Sequence, residues 1–333
     1  MTSRKERRTL FGQRRALLGS TALALVVVLT SPLGRAQSDH PVKIILPVAT
    51  ASGVDTITRA AQAALSKALG APVVVENQPG AGGIVGTQAL VKSAPDGTTL
   101  SIVSNNHVIY PSVYKSVPFD PVADITPIAV VGSTPIVLVV NPKVPAKNAQ
   151  ELIALLKSRP DEMNYASSGN GTILHLAAAM FLDQAGVKAK HIPYKGVGPM
   201  LTDLLGGQVD FATAALPSVQ QHIKSGALRA IGVGAPQRVA AAPEIPTMLE
   251  QGMPNYLVEG WFAVIGPAKM PPPLVSRINA AIKETFASPD VKDAMAKQGN
   301  AIDVSTPEYA ARFFPAELAK YAALVKKAGV ELQ

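Results

Sequence analysis

The chain has 333 residues, of which 47% are hydrophobic and 16% charged, with a formal net charge of +8 and no cysteine. Without cysteine there are no disulfides, no thiolate metal sites and no cysteine nucleophile, so stability must come from the core. Residues 1–36 hold seven of the 31 basic and one of the 23 acidic side chains, which leaves the remaining 297 residues at +2 and excludes a nucleic-acid partner held by a basic surface.

The chain opens with Arg4, Lys5, Arg7, Arg8, Arg14 and Arg15, continues with an apolar run from Ala16 to Thr30, and reaches small residues at Gly34-Arg35-Ala36. That order predicts a signal peptide over residues 1–36, cleaved after Ala36, and a soluble mature protein in the periplasm. The apolar run is shorter than the roughly 20 residues of a membrane-spanning helix. Neither arginine pair sits in a full twin-arginine context, so Sec export is expected rather than Tat.

Strand and helix signals then alternate. Val42 to Leu46 reads as a strand and Thr56 to Leu69 as a helix with Asp55 at its N-cap and Gly70 at its stop. Val73 to Val75 reads as a strand that ends at Pro79-Gly80 and leads through glycines into a helix. Thr99 to Val103 is a strand, and Asn148-x-x-Glu151 is a capping box ahead of a helix. Further strands are expected at Met163 to Ala166, Lys190 to Ile192, Val209 to Ala212, Leu228 to Val233 and Tyr256 to Ile265. Helices are expected at Thr172 to Gln184, Met200 to Leu205, Val219 to Lys224, and as a tail over Leu274 to Lys327. Such alternation predicts an α/β fold with mainly parallel sheets. The length suits two lobes: residues 37–140 plus 259–333 as a discontinuous first lobe, and 141–258 as the second, joined by apolar crossings at Ile136 to Asn141 and Trp261 to Ile265. In open α/β sheets the ligand lies beyond the carboxyl ends of the strands.

Gly80-Ala81-Gly82-Gly83 follows a strand but lacks the third glycine of a dinucleotide fingerprint and the lysine of a phosphate loop. Its glycines are read as serving the turn rather than touching a ligand. The longer run Val75-Glu76-Asn77-Gln78-Pro79-Gly80-Ala81-Gly82-Gly83, closing at Gly86-Thr87 and followed by Pro95-Asp96-Gly97, resembles the tripartite tricarboxylate transporter (TctC/Bug-type) periplasmic solute-binding receptors. Asn164-Tyr165-Ala166-Ser167-Ser168-Gly169-Asn170-Gly171-Thr172, Pro193-Tyr194-Lys195-Gly196, Asp203 to Asp210 and Gly260-Trp261-Phe262 extend the resemblance over nearly the whole mature chain. It implies a type II periplasmic-binding-protein fold, two α/β lobes with a cleft between them. It also implies capture of a small mono-, di- or tricarboxylate and delivery to the membrane permease subunits of a tripartite transporter. A monomer is expected. Ala51-Ser52 stands where the family pattern has a glycine pair.

The candidate ligand-binding residues are Ser52, Asp55, Ser104, Asn105, Ser167, Ser168, Gly171, Thr172, Lys195 and Asp210. Hydroxyls and glycines ahead of a helix leave backbone N–H groups for a carboxylate, aided by roughly half a positive charge of helix dipole. Ser168 and Thr172 can equally cap that helix. The candidate loops contain no arginine, Lys195 is either a lip residue or a contact, and Trp261 and Phe262 either wall the pocket or pack the hinge. Arg59 is expected to pair with Asp55. No Gly-x-Ser-x-Gly elbow occurs in the mature chain, and the histidines lack zinc-site spacing, so no enzyme, metal or cofactor is expected. A solute sensor acting on a signalling receptor and an extracytoplasmic hydrolase are the alternatives.

Overall fold

The computed structural model describes residues 41–328 with 330 and 332; the expected signal peptide lies outside the described residues. Strand β1 (Val42–Leu46) leads into helix α1 (Gly53–Leu69). This helix begins three residues before the expected Thr56, because Ser52 rather than Asp55 is the N-cap. Ser52 is extended, with φ −68° and ψ 160°, and its hydroxyl accepts the Asp55 N–H at 3.2 Å. Gly70 ends the helix in the left-handed region at φ 69°. Strand β2 (Val73–Asn77), helix α2 (Ile84–Val91), strand β3 (Thr99–Ser104) and the short helix α3 (Asn106–Ile109) follow.

Strand β4 (Ile125–Val140) is 16 residues long and belongs to two sheets. Beyond it come helix α4 (Ala149–Ser158), strand β5 (Asn164–Ser167), helix α5 (Ile173–Ala185), strand β6 (Lys190–Pro193), helix α6 (Val197–Gly206), strand β7 (Phe211–Ala215), helix α7 (Leu216–Lys224) and strand β8 (Arg229–Val233). One arm of the expected capping box is formed, with Asn148 Oδ1 accepting the Glu151 N–H at 2.8 Å, while the Glu151 carboxylate reaches back one residue further and accepts the Lys147 N–H at 2.7 Å. Strand β9 (Glu259–Pro267) then runs back along β4.

Parallel pairing holds where strands alternate with helices, β1 with β2 and β3, and β5 with β6 and β7. The antiparallel pairs all involve β4 or β9. Ile125 to Pro135 of β4 pair with β9, whereas Ile136 to Val140 pair with β7 and, from Val137, with β8. One continuous strand thus leaves one sheet and enters the next, and the fold consists of two α/β lobes.

The C-terminal tail is not one helical run. Helix α8 (Pro272–Ala287), helix α9 (Pro289–Lys297), the two-residue strand β10 (Ala301–Ile302) and helix α10 (Pro307–Lys327) divide it. Pro289 pushes Ser288 into an extended conformation, ψ 142°, which ends α8, and Gly299 turns the chain at φ 75° so that β10 can pair with β4. One core packs Ile44, Leu46, Ile57, Leu100 and Val264 with Ile278 and Ile282 of α8. A second gathers Val137, Leu138, Phe181, Leu204 and Phe211.

Candidate functional site

The carboxyl ends of β1, β2, β3, β5, β6 and β7 converge on a cavity of about 660 Å³ whose wall comes from both lobes. The first lobe contributes Pro47 to Ala49, Ser52, Pro79 to Gly83, Ser104 to Asn106 and Tyr114, and the second contributes Ser168 to Asn170, Thr172, Tyr194 to Gly196 and Ala215. Among the described residues Lys195 is the one charged side chain in this wall, and no arginine, aspartate or glutamate lines it. An anion entering it therefore meets dipoles and a single cation, with no fixed negative charge to repel it.

Six of the ten candidate residues, Ser52, Ser104, Asn105, Ser168, Thr172 and Lys195, line the cavity. The other four are placed elsewhere. Asp55 lies in the first turn of α1 and accepts hydrogen bonds from Ala51 N at 3.1 Å, Arg59 Nε at 2.9 Å and Asn77 Nδ2 at 2.9 Å, so it braces the loop that forms the wall. Ser167 is fully buried, with its hydroxyl on the Gly169 carbonyl at 3.0 Å. Gly171 gives its N–H to His175 Nδ1 at 3.0 Å. Asp210 precedes β7, at the amino end of a strand whose carboxyl end faces the cavity. There it accepts the Asn164 N–H at 2.8 Å and ties β5 to β7.

The α5 N-terminus is less open than the bare sequence implies. Thr172 is its N-cap, accepting the His175 N–H at 3.3 Å while its own hydroxyl donates to the Gly169 carbonyl at 2.8 Å. Ser168 Oγ donates to Thr172 Oγ1 at 3.2 Å, a contact between two neutral hydroxyls that a carboxylate can displace. Asn105 is committed as well: its Oδ1 accepts the Trp261 N–H at 2.9 Å and its Nδ2 donates to Tyr321 Oη. Trp261 walls the cavity, and its ring donates to Glu317 Oε2 at 2.7 Å. Phe262 does not; it is buried against Phe286 in the first-lobe core, because neighbouring residues of a strand face opposite ways.

Sequence reasoning missed two features. The Pro79 to Gly83 turn, read as purely structural, forms part of the wall. It approaches so closely that a Cβ on Gly83, at φ 121°, would lie 2.6 Å from the Pro47 carbonyl oxygen. The family pattern over Pro79 to Gly83 was the available signal. The second is a pair of histidines 16 residues apart in the chain: the His175 and His191 rings stack 3.9 Å apart at 8° behind the Ser167 to Thr172 loop. Burial holds His191 down to about 4 and, with repulsion from His191 added, His175 down to about 3, so both are neutral at pH 7.

His191 Nε2 lies 2.7 Å from Ser167 Oγ, the spacing of a nucleophile and its base. Ser167 has no exposed surface, however, and no carboxylate hydrogen-bonds His191 among the described residues. The pair supports the loop from behind. A larger recess, about 830 Å³, shares Ile173, Gly260 and Trp261 with the cavity but lies against α10, which contributes Tyr309, Phe313, Glu317, Lys320, Tyr321 and Leu324.

Residues 57–330 match the model of the tripartite tricarboxylate transporter family receptor. Protein BugT of Bordetella pertussis is 37% identical over 296 residues, covering 88% of this chain and 91% of that protein. The structure of the periplasmic binding protein BugD superposes with a TM-score of 0.84 at 32% identity, covering 88% of this chain and 99% of that one. An R. palustris protein described with adipate superposes with a TM-score of 0.85 at 28% identity, covering 88% and 98%. The interlobe cavity is thus set in a type II periplasmic-binding-protein fold, and this chain belongs to the tripartite tricarboxylate transporter receptor family.

Proposed function

We propose that the protein is a periplasmic receptor, not an enzyme, that captures a small carboxylate-bearing solute between its lobes and delivers it to the permease subunits of a tripartite transporter. The observation that carries this reading is the cavity wall: hydroxyls, backbone groups and Lys195, with no acidic side chain. Carboxylate oxygens accept from such donors, and charge-assisted bonds are roughly twice as strong as neutral ones. The relative described with adipate, a dicarboxylate, supports the same class. In this reading residues 37–140 plus 259–333 and residues 141–258 are the bodies that close on the ligand, residues 1–36 direct export by the Sec route, and the working unit is a monomer.

Trp261 is the chain's single tryptophan and lines the cavity, so its fluorescence reports occupancy. Titration with adipate and a panel of mono-, di- and tricarboxylates is expected to give a saturable change for at least one member, with stabilisation of roughly 2.7 kcal/mol at 100 times its dissociation constant. Saturable binding of neutral sugars, with no response to any carboxylate, would overturn the reading.

A further inference from the structure

Around the cavity the lobes meet at a side-chain hydrogen bond and at three glycines packed close against the opposite lobe. Asn106 sits at the start of α3 in the first lobe, and its Oδ1 accepts the Ile173 N–H of α5 in the second lobe at 2.9 Å. That N–H belongs to the first turn of a helix, where no helical carbonyl is available to it. A Cβ at Gly196 would lie 2.6 Å from Ala49 Cβ, one at Gly53 would lie 2.9 Å from Ala215 Cβ, and one at Gly171 would overlap Val113. Glycine at these positions removes the atoms that would hold the lobes apart, and Asn106 supplies the hydrogen bond that joins them.

Asn106 is half-buried and lines the cavity. With Oδ1 committed to Ile173, its Nδ2 keeps two donors that have no protein acceptor among the described residues. We propose that Asn106 is a positioning residue that couples ligand capture to lobe closure, its Oδ1 latching the second lobe while its Nδ2 donates to the ligand carboxylate. The Nδ2 role rests on the carboxylate reading, and the latch does not. An anion held by the NH2 end prevents the carboxamide from turning over, so a bound carboxylate keeps Oδ1 facing Ile173 and slows reopening. In the ligand-free protein the latch biases the lobes toward contact, and glycine at the three approaches lets that contact form without strain.

The chain lacks cysteine, so Ala60→Cys in the first lobe and Lys188→Cys in the second, both exposed, accept a donor and acceptor dye pair. Energy transfer without ligand is read for the parent and for Asn106→Ala and Asn106→Asp, alongside adipate affinity and dissociation rate from Trp261 fluorescence. Asn106→Ala is expected to lower ligand-free transfer and to weaken adipate by roughly ten- to hundredfold, mainly through faster dissociation. Asn106→Asp keeps the acceptor and adds a charge favoured at a helix N-terminus, so ligand-free transfer is expected to stay at or above the parent value. It has no N–H donors and repels an anion, so adipate should weaken more than in Asn106→Ala. A purely structural role would shift unfolding temperature alike in both variants and leave the split between transfer and affinity unmade. The proposal is overturned if Asn106→Ala retains the parent's ligand-free transfer, or if Asn106→Asp opens as far as Asn106→Ala. A parent protein that binds no carboxylate removes the Nδ2 role together with the ligand class, and the ligand-free comparison then decides the latch alone.

Discussion

Ser168 and Thr172 both line the cavity four residues apart, yet the structure assigns them different work. Thr172 Oγ1 accepts the His175 N–H and spends its proton on the Gly169 carbonyl, so it has no donor left for a ligand unless the bond to Gly169 is broken. Ser168 spends its proton on Thr172 Oγ1 at 3.2 Å, the long side of an O–H···O bond, and can turn to a carboxylate at little cost. Ser168→Ala is therefore expected to remove one bond to a charged ligand, roughly 1.5 to 3 kcal/mol, which is about a tenfold to hundredfold rise in Kd. Thr172→Ala is expected to lower folding stability by about 1 kcal/mol, a fall of roughly 2–4 °C in Tm, with a smaller change in affinity. Calorimetric titration with adipate at a temperature where all proteins are folded measures the first quantity, and scanning calorimetry without ligand measures the second. Parent affinity in Ser168→Ala, or a larger affinity loss in Thr172→Ala, would refute the assignment and move the anion contact to Ser104, Asn106 and Lys195.

Other outcomes follow from the same geometry. Ala51 holds φ at 64°, a left-handed conformation that costs a non-glycine residue about 1–2 kcal/mol, so Ala51→Gly is expected to raise stability by a few tenths to 1 kcal/mol after the added unfolded-state entropy, as read by denaturant midpoint. Asp55→Ala strips acceptors from Ala51 N, Arg59 and Asn77 and should destabilise by about 2–3 kcal/mol; Asp55→Asn should recover part of this, and a loss under about 0.5 kcal/mol would contradict its bracing role. His175 and His191 are held at about 3 and about 4, below the unfolded value of 6.5. Below pH 6.5 the unfolded chain binds protons that the native pair refuses, so stability is full above that pH and falls as pH drops toward 3. The slope approaches about 1.4 kcal/mol per pH unit for each such imidazole. Urea midpoints between pH 7 and 4 should fall less steeply in His175→Gln, and identical slopes would remove the pair as the cause.

Much of this molecule is local and could be read without coordinates. The β-branched runs at Val42 to Leu46 and Val73 to Val75, the stop at Gly70 and the Asn148 cap depend on residues a few positions apart, and so does the Asp55–Arg59 pair one helical turn apart. The order of strands and helices also selected which loops bear the site, because a parallel strand followed by a helix must turn at its carboxyl end. Asp210 shows the limit of that reasoning: its neighbourhood in sequence is a strand, but the end on which it lies became clear only from the direction of β7 beside β5.

What tertiary structure decided are the contacts between segments far apart in the chain. The Ser168 and Thr172 hydroxyls reach a ligand cavity only because the folded chain sets their loop opposite Ser52, Ser104 and Asn106 of the first lobe. His175 of α5 and His191 of β6 acquire neutral, stacked rings only when α5 packs on the sheet in which β6 pairs with β5. Asn106 meets Ile173 across 67 positions of sequence because β4 runs through both sheets and brings α3 over the start of α5. Periodicity and capping are set within about four residues of backbone, so the sequence shows them directly. Partners for buried donors and charges are chosen by whatever the folded chain places within about 3 Å, and that distance exists only after the two lobes have been built.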